Sequence, residues 1–234
     1  MGRRQDRESV EESKRAAGYR AASFVRDGMV VGLGSGSTAR YATLRVADRL
    51  RRNELRDVVA IPTSEETARL AGQGGIPLAT LAEHAQIDVT IDGADEVDPQ
   101  LDLIKGLGGC LLREKIVASA TAQEIIVVDD SKLVQTLGSR NPVPVEVIRF
   151  GWRNTQAALA NTGAQAVLRR IRGETYLTDE GNYIIDCTYE GIESPRELMP
   201  RLNAIPGVVE NGLFLGMADL VVVGSPSGVT ILER

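Results

Sequence analysis

The sequence holds a single histidine, His84, among 234 residues, and only two cysteines, Cys110 and Cys187. A Ser-His-Asp triad would have to use that one imidazole, and a multi-histidine zinc site is excluded. If the chain is an enzyme, carboxylates or lysines must move its protons. The cysteines stand far apart and read as reduced thiols of a cytoplasmic protein, not as a disulfide framework. An excess of base is also missing. Lys and Arg number 27 against 32 Asp and Glu, a net charge of −5, and the isoelectric point lies near 5.1. Nucleic acid, which needs a basic face for its phosphates, is not an expected partner. No stretch reaches the roughly 18 apolar residues of a membrane span. The start, MGRRQDRESVEESKR, lacks the apolar core of a signal peptide. Neither a membrane partner nor export is expected.

What is present is ordinary globular material, 43% hydrophobic and 25% charged. The length suits one large domain or two small ones, at roughly 100–200 residues each. The polar residues 1–8 read as a frayed start. Val10, Ala17, Ala21, Phe24 and Val25 then share one helical face between Ser9 and Arg26. After that, an apolar run, a polar or glycine-rich turn and an amphipathic stretch follow one another repeatedly. The runs are 29–33, 58–61, 87–91 and 124–128, and Thr63 with Glu66 has capping-box spacing. Such alternation predicts a parallel, Rossmann-like sheet with ligand chemistry at the strand C-termini.

The stretch 140–210 reads differently. It offers a strand at 142–147, a helix over 152–161, a strand at 166–171 and a hairpin with arms Tyr176–Thr178 and Tyr183–Ile185. Ser194-Pro195-Arg196-Glu197 opens a further helix with proline at N1 and a capping-box glutamate, and a strand starts at Val208. The order β-α-β-β-α-β is ferredoxin-like. Residues 219–224 then return as a parallel strand. The expected fold is α/β. A Rossmann-like domain of residues 1–139 plus 211–234 carries an inserted, smaller ferredoxin-like α+β domain of residues 140–210.

Four clusters could carry chemistry, three of them directly after predicted strands. Gly34-Ser35-Gly36-Ser37-Thr38 combines backbone freedom, hydroxyls and the N–H groups of a helix start, which suits an anion. It is neither a Walker loop nor G-x-G-x-x-G, and it also reads as a plain β-α turn with Ser37 or Thr38 as N-cap. Asp92-Gly93-Ala94-Asp95 directly follows a buried-type strand. Its neighbours Asp88, Asp98 and Asp102 read as a solvated loop with Asp-Pro turn chemistry, and the spacing is not that of a calcium loop. Lys105-Gly106-Leu107-Gly108-Gly109 offers a charge and N–H groups to a developing oxyanion. Glu114 lies on the helix those glycines introduce. Taken singly, Lys105 and Glu114 read as surface residues. Asp129-Asp130-Ser131-Lys132 ends another strand, where Lys132 reaches a phosphate or starts a solvated helix. His84 falls outside every cluster.

Together, GLGSGSTA, IDGADEVD, IKGLGGCLLREKIVASA and DDSKLV resemble type A ribose-5-phosphate isomerases. The likeness continues through PVEV and NAIPGVVENGLF to ADLVVVGSPSGV. The resemblance implies aldose–ketose isomerisation of a pentose phosphate without cofactor or metal, by a homodimer or larger homo-oligomer. It assigns Glu114 as the base, with Asp92 and Lys105 also catalytic. Substrate binding falls to Ser35, Gly36, Ser37, Thr38, Asp92, Gly93, Ala94, Asp95, Lys105, Gly106, Leu107, Gly108 and Lys132. Lys14 stands where the family often has a lysine near the phosphate. Leu107 replaces a common glycine and Leu112 a frequent threonine. Two other readings are a non-catalytic sugar-phosphate-sensing domain and a CoA transferase-like enzyme, the latter through Glu210-Asn211-Gly212. A sugar-phosphate deaminase would need an active-site histidine, and His84 lies outside the clusters.

Overall fold

The computed structural model describes residues 2–234. The chain starts with α1 (Gly2–Ala22) and continues through β1 (Val30–Leu33), α2 (Ala39–Arg51), β2 (Val59–Pro62), α3 (Glu65–Gln73) and β3 (Val89–Gly93). Short strands β4 (Glu96–Val97) and β5 (Leu103–Ile104) precede α4 (Leu111–Ser119) and β6 (Glu124–Asp129). A 3₁₀ turn over Asp130–Lys132 leads to β7 (Val143–Val147), α5 (Trp152–Ala160), β8 (Gln165–Leu168), β9 (Arg170–Ile171) and β10 (Glu174–Thr175). The last elements are β11 (Tyr183–Thr188), α6 (Pro195–Asn203), β12 (Val208–Asn211), β13 (Leu213–Phe214), β14 (Leu220–Ser225) and β15 (Gly228–Glu233). Helix α1 therefore takes in polar residues that composition left outside a helix, and it stops before Arg26. Among the described residues no helix is long and apolar enough to cross a membrane.

Two compact units result. The first comprises residues up to Ala94, Arg113–Lys132 and Met217–Arg234, and the second Asp95–Leu112 with Leu133–Gly216. The first unit is a six-stranded sheet in the order β15-β14-β6-β3-β1-β2, parallel except for the antiparallel edge strand β15. Strands β6 and β14 are buried almost along their whole length, as expected where helices cover both faces. One face holds Val31, Leu33, Ile91 and Val127 against Ala17, Ala21 and Val46 of α1 and α2. On the other, Val117 of α4 packs with Ile61 and Ile87. Small residues set the closeness of α1. A Cβ on Gly224 would lie 2.0 Å from the Ser13 carbonyl oxygen, and one on Gly18 would lie 2.7 Å from Tyr41 Cβ.

The second unit contains an antiparallel sheet in the order β12-β7-β11-β8. With α5 and α6 it has the β-α-β-β-α-β chain order of a ferredoxin-like unit. Val143, Val145, Val147, Ile185 and Cys187 face Leu159, Leu198 and Leu202 in its core. A three-stranded sheet, β13-β5-β4, completes the unit.

Four local features differ from the sequence expectation. The predicted 166–171 strand is broken at Arg169, into β8 and β9. The predicted hairpin does not form: β11 pairs with β8, while β10 pairs with β9 around Arg172-Gly173. Both turn residues have positive φ, 52° and 87°, the requirement of a type I′ turn. The N-cap of α3 is Ser64, which accepts the Thr67 N–H at 3.0 Å, so Thr63 is not the cap. Ser194 of α6 likewise makes no side-chain cap bond, although Pro195 does occupy N1.

Candidate active site

In the first unit β2 and β3 lie on opposite sides of β1, which makes the β1–β3 boundary a topological switch point. Ligands of open α/β sheets bind outside the strand C-termini at such a point. Here Gly34-Ser35 leaves β1 beside Asp92 at the end of β3. A Cβ on Gly34 would lie 2.1 Å from Asp92 Oδ1, so glycine lets the two chains meet. Asp92 is buried, and its Oδ1 accepts the Ser35 N–H at 2.9 Å and the Gly93 N–H at 2.7 Å. Backbone donors thus fix the direction of that carboxylate.

Ser35 is fixed through its side chain. Its Oγ lies 2.9 Å from Thr63 Oγ1, 2.8 Å from Ser64 Oγ and 3.2 Å from Thr67 Oγ1. Thr67 in turn donates to the Gly34 carbonyl at 3.1 Å. This hydroxyl cluster ties the loop to the start of α3, and the motifs did not reveal it. Gly36 has a φ of +101° and is exposed with Ser37. Thr38 is the N-cap residue of α2 but makes no side-chain cap bond. The N–H groups of Arg40 and Tyr41 donate to the Gly36 and Thr38 carbonyls at 3.0 Å each, so an anion at this helix start would meet the exposed Gly-Ser turn ahead of them.

The same strand edge carries the other first-unit candidates. Asp129 Oδ1 accepts both the N–H and the hydroxyl of Ser131, shaping the 3₁₀ turn that ends at half-buried Lys132. Glu114 lies in the first turn of α4 with only 6% of its surface exposed, so it is not the surface acid that its local charge cluster would predict. Its neighbour Arg113 pairs with Glu65 at 2.8 Å and so joins the first turns of α4 and α3. Lys14 pairs with Glu11 at 3.0 Å, and Glu11 also accepts from Tyr41 at 2.8 Å. That hydroxyl bond, followed by Lys14, holds the Glu11 carboxyl below its usual range. His84 is part of the segment that leads into the N-terminal end of β3, remote from these strand ends along the sheet.

In the second unit Lys105 directly follows β5 and is only 2% exposed, so it too is no surface residue. Its N–H donates to the Gly212 carbonyl at 2.9 Å, and its ammonium lies 5.3 Å from the Phe214 ring centroid. A Cβ on Gly212 would stand 2.3 Å from the Lys105 carbonyl oxygen. The Gly106–Gly109 loop follows, with φ values of +103° at Gly106 and +84° at Gly109. Asp95 Oδ2 accepts the Leu107 N–H at 2.9 Å, so this acid braces the loop. From β8's end Arg169 donates to the carbonyls of Gly106 and Leu107, each at 2.9 Å. Neither Arg169 nor its partner Asp186 was singled out in the sequence. The available signal was an opposite charge within each of two apolar strand runs.

The remaining acids are structural, and two of them correct the solvated-loop reading. Asp98 and Asp102 are buried. Asp98 accepts from the N–H groups of Gln100 and Asp102, and Asp102 accepts from Gly216 and Arg196. Glu96, fully buried, gathers the N–H groups of Gly138, Arg140 and Asn141. Glu210 accepts the N–H of Asn211, whose side-chain Oδ1 accepts from the Leu213 N–H. The Glu-Asn-Gly segment thus closes a strand-ending turn. Among the described residues no three His, Cys, Asp or Glu side chains are grouped to hold a metal ion.

A sheet switch point with a Gly-Ser helix start, a fixed aspartate and a buried glutamate has the arrangement of an α/β enzyme with its chemistry at the strand C-termini. The comparisons narrow this. The profile of the family ribose 5-phosphate isomerase A (phosphoriboisomerase A) matches residues 59–228. Ribose-5-phosphate isomerase A of Gloeobacter violaceus is 55% identical over 220 residues, covering 94% of this chain and 95% of that protein. The structure of ribose 5-phosphate isomerase A from Methanocaldococcus jannaschii superposes with a TM-score of 0.92 at 44% identity, covering 97% of this chain and all of that one. A D-ribose-5-phosphate isomerase in complex with phospho-erythronic acid gives 0.94 at 44% identity, over 96% and 99% of the two chains. The chain belongs to the ribose 5-phosphate isomerase A family.

Proposed function

We propose that the chain interconverts ribose 5-phosphate and ribulose 5-phosphate through an enediolate, with Glu114 as the carbon base. The observation that carries this is a buried glutamate in the first turn of α4, in a member of that family. The Glu114 carboxylate removes the C2 proton of the open-chain aldose, and the C1 carbonyl oxygen takes up the electron pair. The proton returns to C1, the O2 hydroxyl proton passes to O1, and C2 becomes the carbonyl. Atoms balance within the sugar, so no redox cofactor is required. A carboxylate in a desolvated setting suits such transfer at neutral pH.

Lys105 and the loop N–H groups of Gly106 and Gly108 stabilise the enediolate oxygens, while Leu107, its N–H held by Asp95, lines the substrate side of the loop. Asp92, held by backbone donors, assists ring opening with Gly93 and Ala94 beside it. Asp95, which braces the loop, also meets a sugar hydroxyl. Ser35, Gly36, Ser37, Thr38 and Lys132 bind the substrate at the strand edge, where the start of α2 favours a phosphate. The complex of a relative with phospho-erythronic acid supports a phosphorylated sugar as ligand. Residues 1–139 plus 211–234 then form the catalytic part and 140–210 the insertion. The family resemblance and the reduced thiols support a cytoplasmic homodimer or larger homo-oligomer.

The deciding test is a coupled assay of ribulose 5-phosphate formation. Glu114→Gln should lower kcat by about 10²–10⁴-fold, the usual loss on removing a general base. A kcat near wild type would remove Glu114 from this role.

A further inference from the structure

We propose that Arg169, clamped by Asp186, is a positioning residue that fixes the Lys105–Gly108 loop and aims and polarises its Gly108 N–H at the reacting oxygens. This rests on the isomerase reading of that loop. The guanidinium uses its donors on two sides. Nε donates to Asp186 Oδ2 at 2.9 Å, and Nη2 pairs with Asp186 Oδ1. Nη1 donates to the carbonyls of both Gly106 and Leu107 at 2.9 Å. The fork is therefore oriented by the carboxylate before it reaches the loop, an arrangement that a lysine ammonium does not reproduce.

The consequence follows from peptide planarity. The unit joining Gly106 to Leu107 is gripped at both ends, its carbonyl by Arg169 and its N–H by Asp95 Oδ2 at 2.9 Å. The next unit has its carbonyl, that of Leu107, turned to Arg169. In a trans peptide the N–H points opposite to the carbonyl, so the Gly108 N–H points away from the guanidinium. Gly108 is exposed, its φ is not positive, and a Cβ there would meet nothing within 4 Å. Neither backbone strain nor crowding demands glycine at 108, and the missing side chain leaves the space beside that N–H open. A cation on the carbonyl side also strengthens each N–H as a donor through hydrogen-bond polarisation. Tyr176 adds a lesser support, its hydroxyl 3.3 Å from the Gly108 carbonyl and its ring 5.9 Å below the guanidinium carbon. On this reading the insertion has a catalytic purpose, since β8 and β11 exist in part to hold Arg169 and Asp186.

The test compares Arg169→Ala, Arg169→Lys and Asp186→Asn with wild type and Glu114→Gln on ribose 5-phosphate. Arg169→Ala should lose about 10–100-fold in kcat, the scale of a misplaced catalytic group. KM should stay within about threefold, because the aimed donor acts mainly in the transition state. Arg169→Lys should fail to restore kcat. Millimolar methylguanidinium should partly restore Arg169→Ala and leave Glu114→Gln unchanged, a response that a merely structural role would not show. If Arg169→Ala does not fold, the isosteric Asp186→Asn carries the test with the same kcat and KM pattern. A folded variant with wild-type kcat, or one altered in KM alone, overturns the proposal. An inactive wild type would instead overturn the isomerase reading, and a fully active Glu114→Gln only the base.

Discussion

At the scale of single residues, the second unit buries a carboxyl that the reaction does not use. Glu146 is 1% exposed, and its Oε1 accepts from Thr178 Oγ1 and Asn182 Nδ2, each at 2.9 Å. Burial pushes its pKa above the ordinary value of 4.5, and the nearby Glu180 and Asp179 add to the rise, while the two hydrogen bonds oppose it. The folded state then holds the proton more tightly than the unfolded chain. Stability conferred by this group is present below the unfolded value and declines as pH rises through the folded one. Glu146→Gln keeps an oxygen for both donors and removes the charge. The variant should therefore melt above wild type at pH 8, with the difference shrinking toward pH 4. A melting comparison at the two pH values checks this, and a wild type more stable at pH 8 would contradict the burial argument.

At the scale of elements, α3 shows how one residue serves structure and site together. Ser64 caps the helix through the Thr67 N–H and also meets Ser35 Oγ at 2.8 Å. Ser64→Ala should cost about 1 kcal/mol in urea unfolding, the typical value of a lost N-cap. The same change loosens Ser35, so KM for the sugar phosphate should rise along with the stability loss. Unchanged KM in a destabilised variant would confine Ser64 to capping. The displacement of the cap from Thr63 to Ser64 also shows where sequence spacing stops being informative. Thr63 has the right neighbours, but its hydroxyl donates to the Leu33 carbonyl, at the end of β1, at 3.2 Å. A local motif competes with a tertiary acceptor that spacing does not display. The broken 166–171 strand has the same origin. Arg169 reads as one polar position in an apolar run, and its side-chain partners lie 17, 62 and 63 residues away. Strands of two residues, such as β4, β5 and β13, are too short to show any periodicity. Long buried strands such as β6 and β14 were legible because an unbroken apolar run ending in Asp or Gly has few other solutions.

At the scale of the whole molecule, the site clusters were legible because α/β chemistry gathers at strand ends, and each motif follows a strand directly. The burial of Glu114 and Lys105 was not, since neither residue's own sequence neighbours decide how much of it the folded chain covers. The same interleaving governs how the protein should unfold. The chain passes between its compact units at Ala94/Asp95, Leu112/Arg113, Lys132/Leu133 and Gly216/Met217. The second of these junctions falls inside α4, Leu111–Ser119, so opening either unit alone would have to break a continuous helix. One cooperative transition is expected, although the second unit has its own core. Cys187 reports on that core, being fully buried, with its thiol pushed up to about 12 by desolvation and, less, by Asp186. At pH 8 it is almost entirely the unreactive thiol while folded, whereas exposure returns it to an ordinary cysteine. In a Cys110→Ser background, labelling of Cys187 across a urea series should therefore rise together with the loss of far-UV circular dichroism and of isomerase activity. Labelling at urea concentrations that leave activity and dichroism intact would show that the second unit opens by itself, and the helix shared across the junction would then not couple the two.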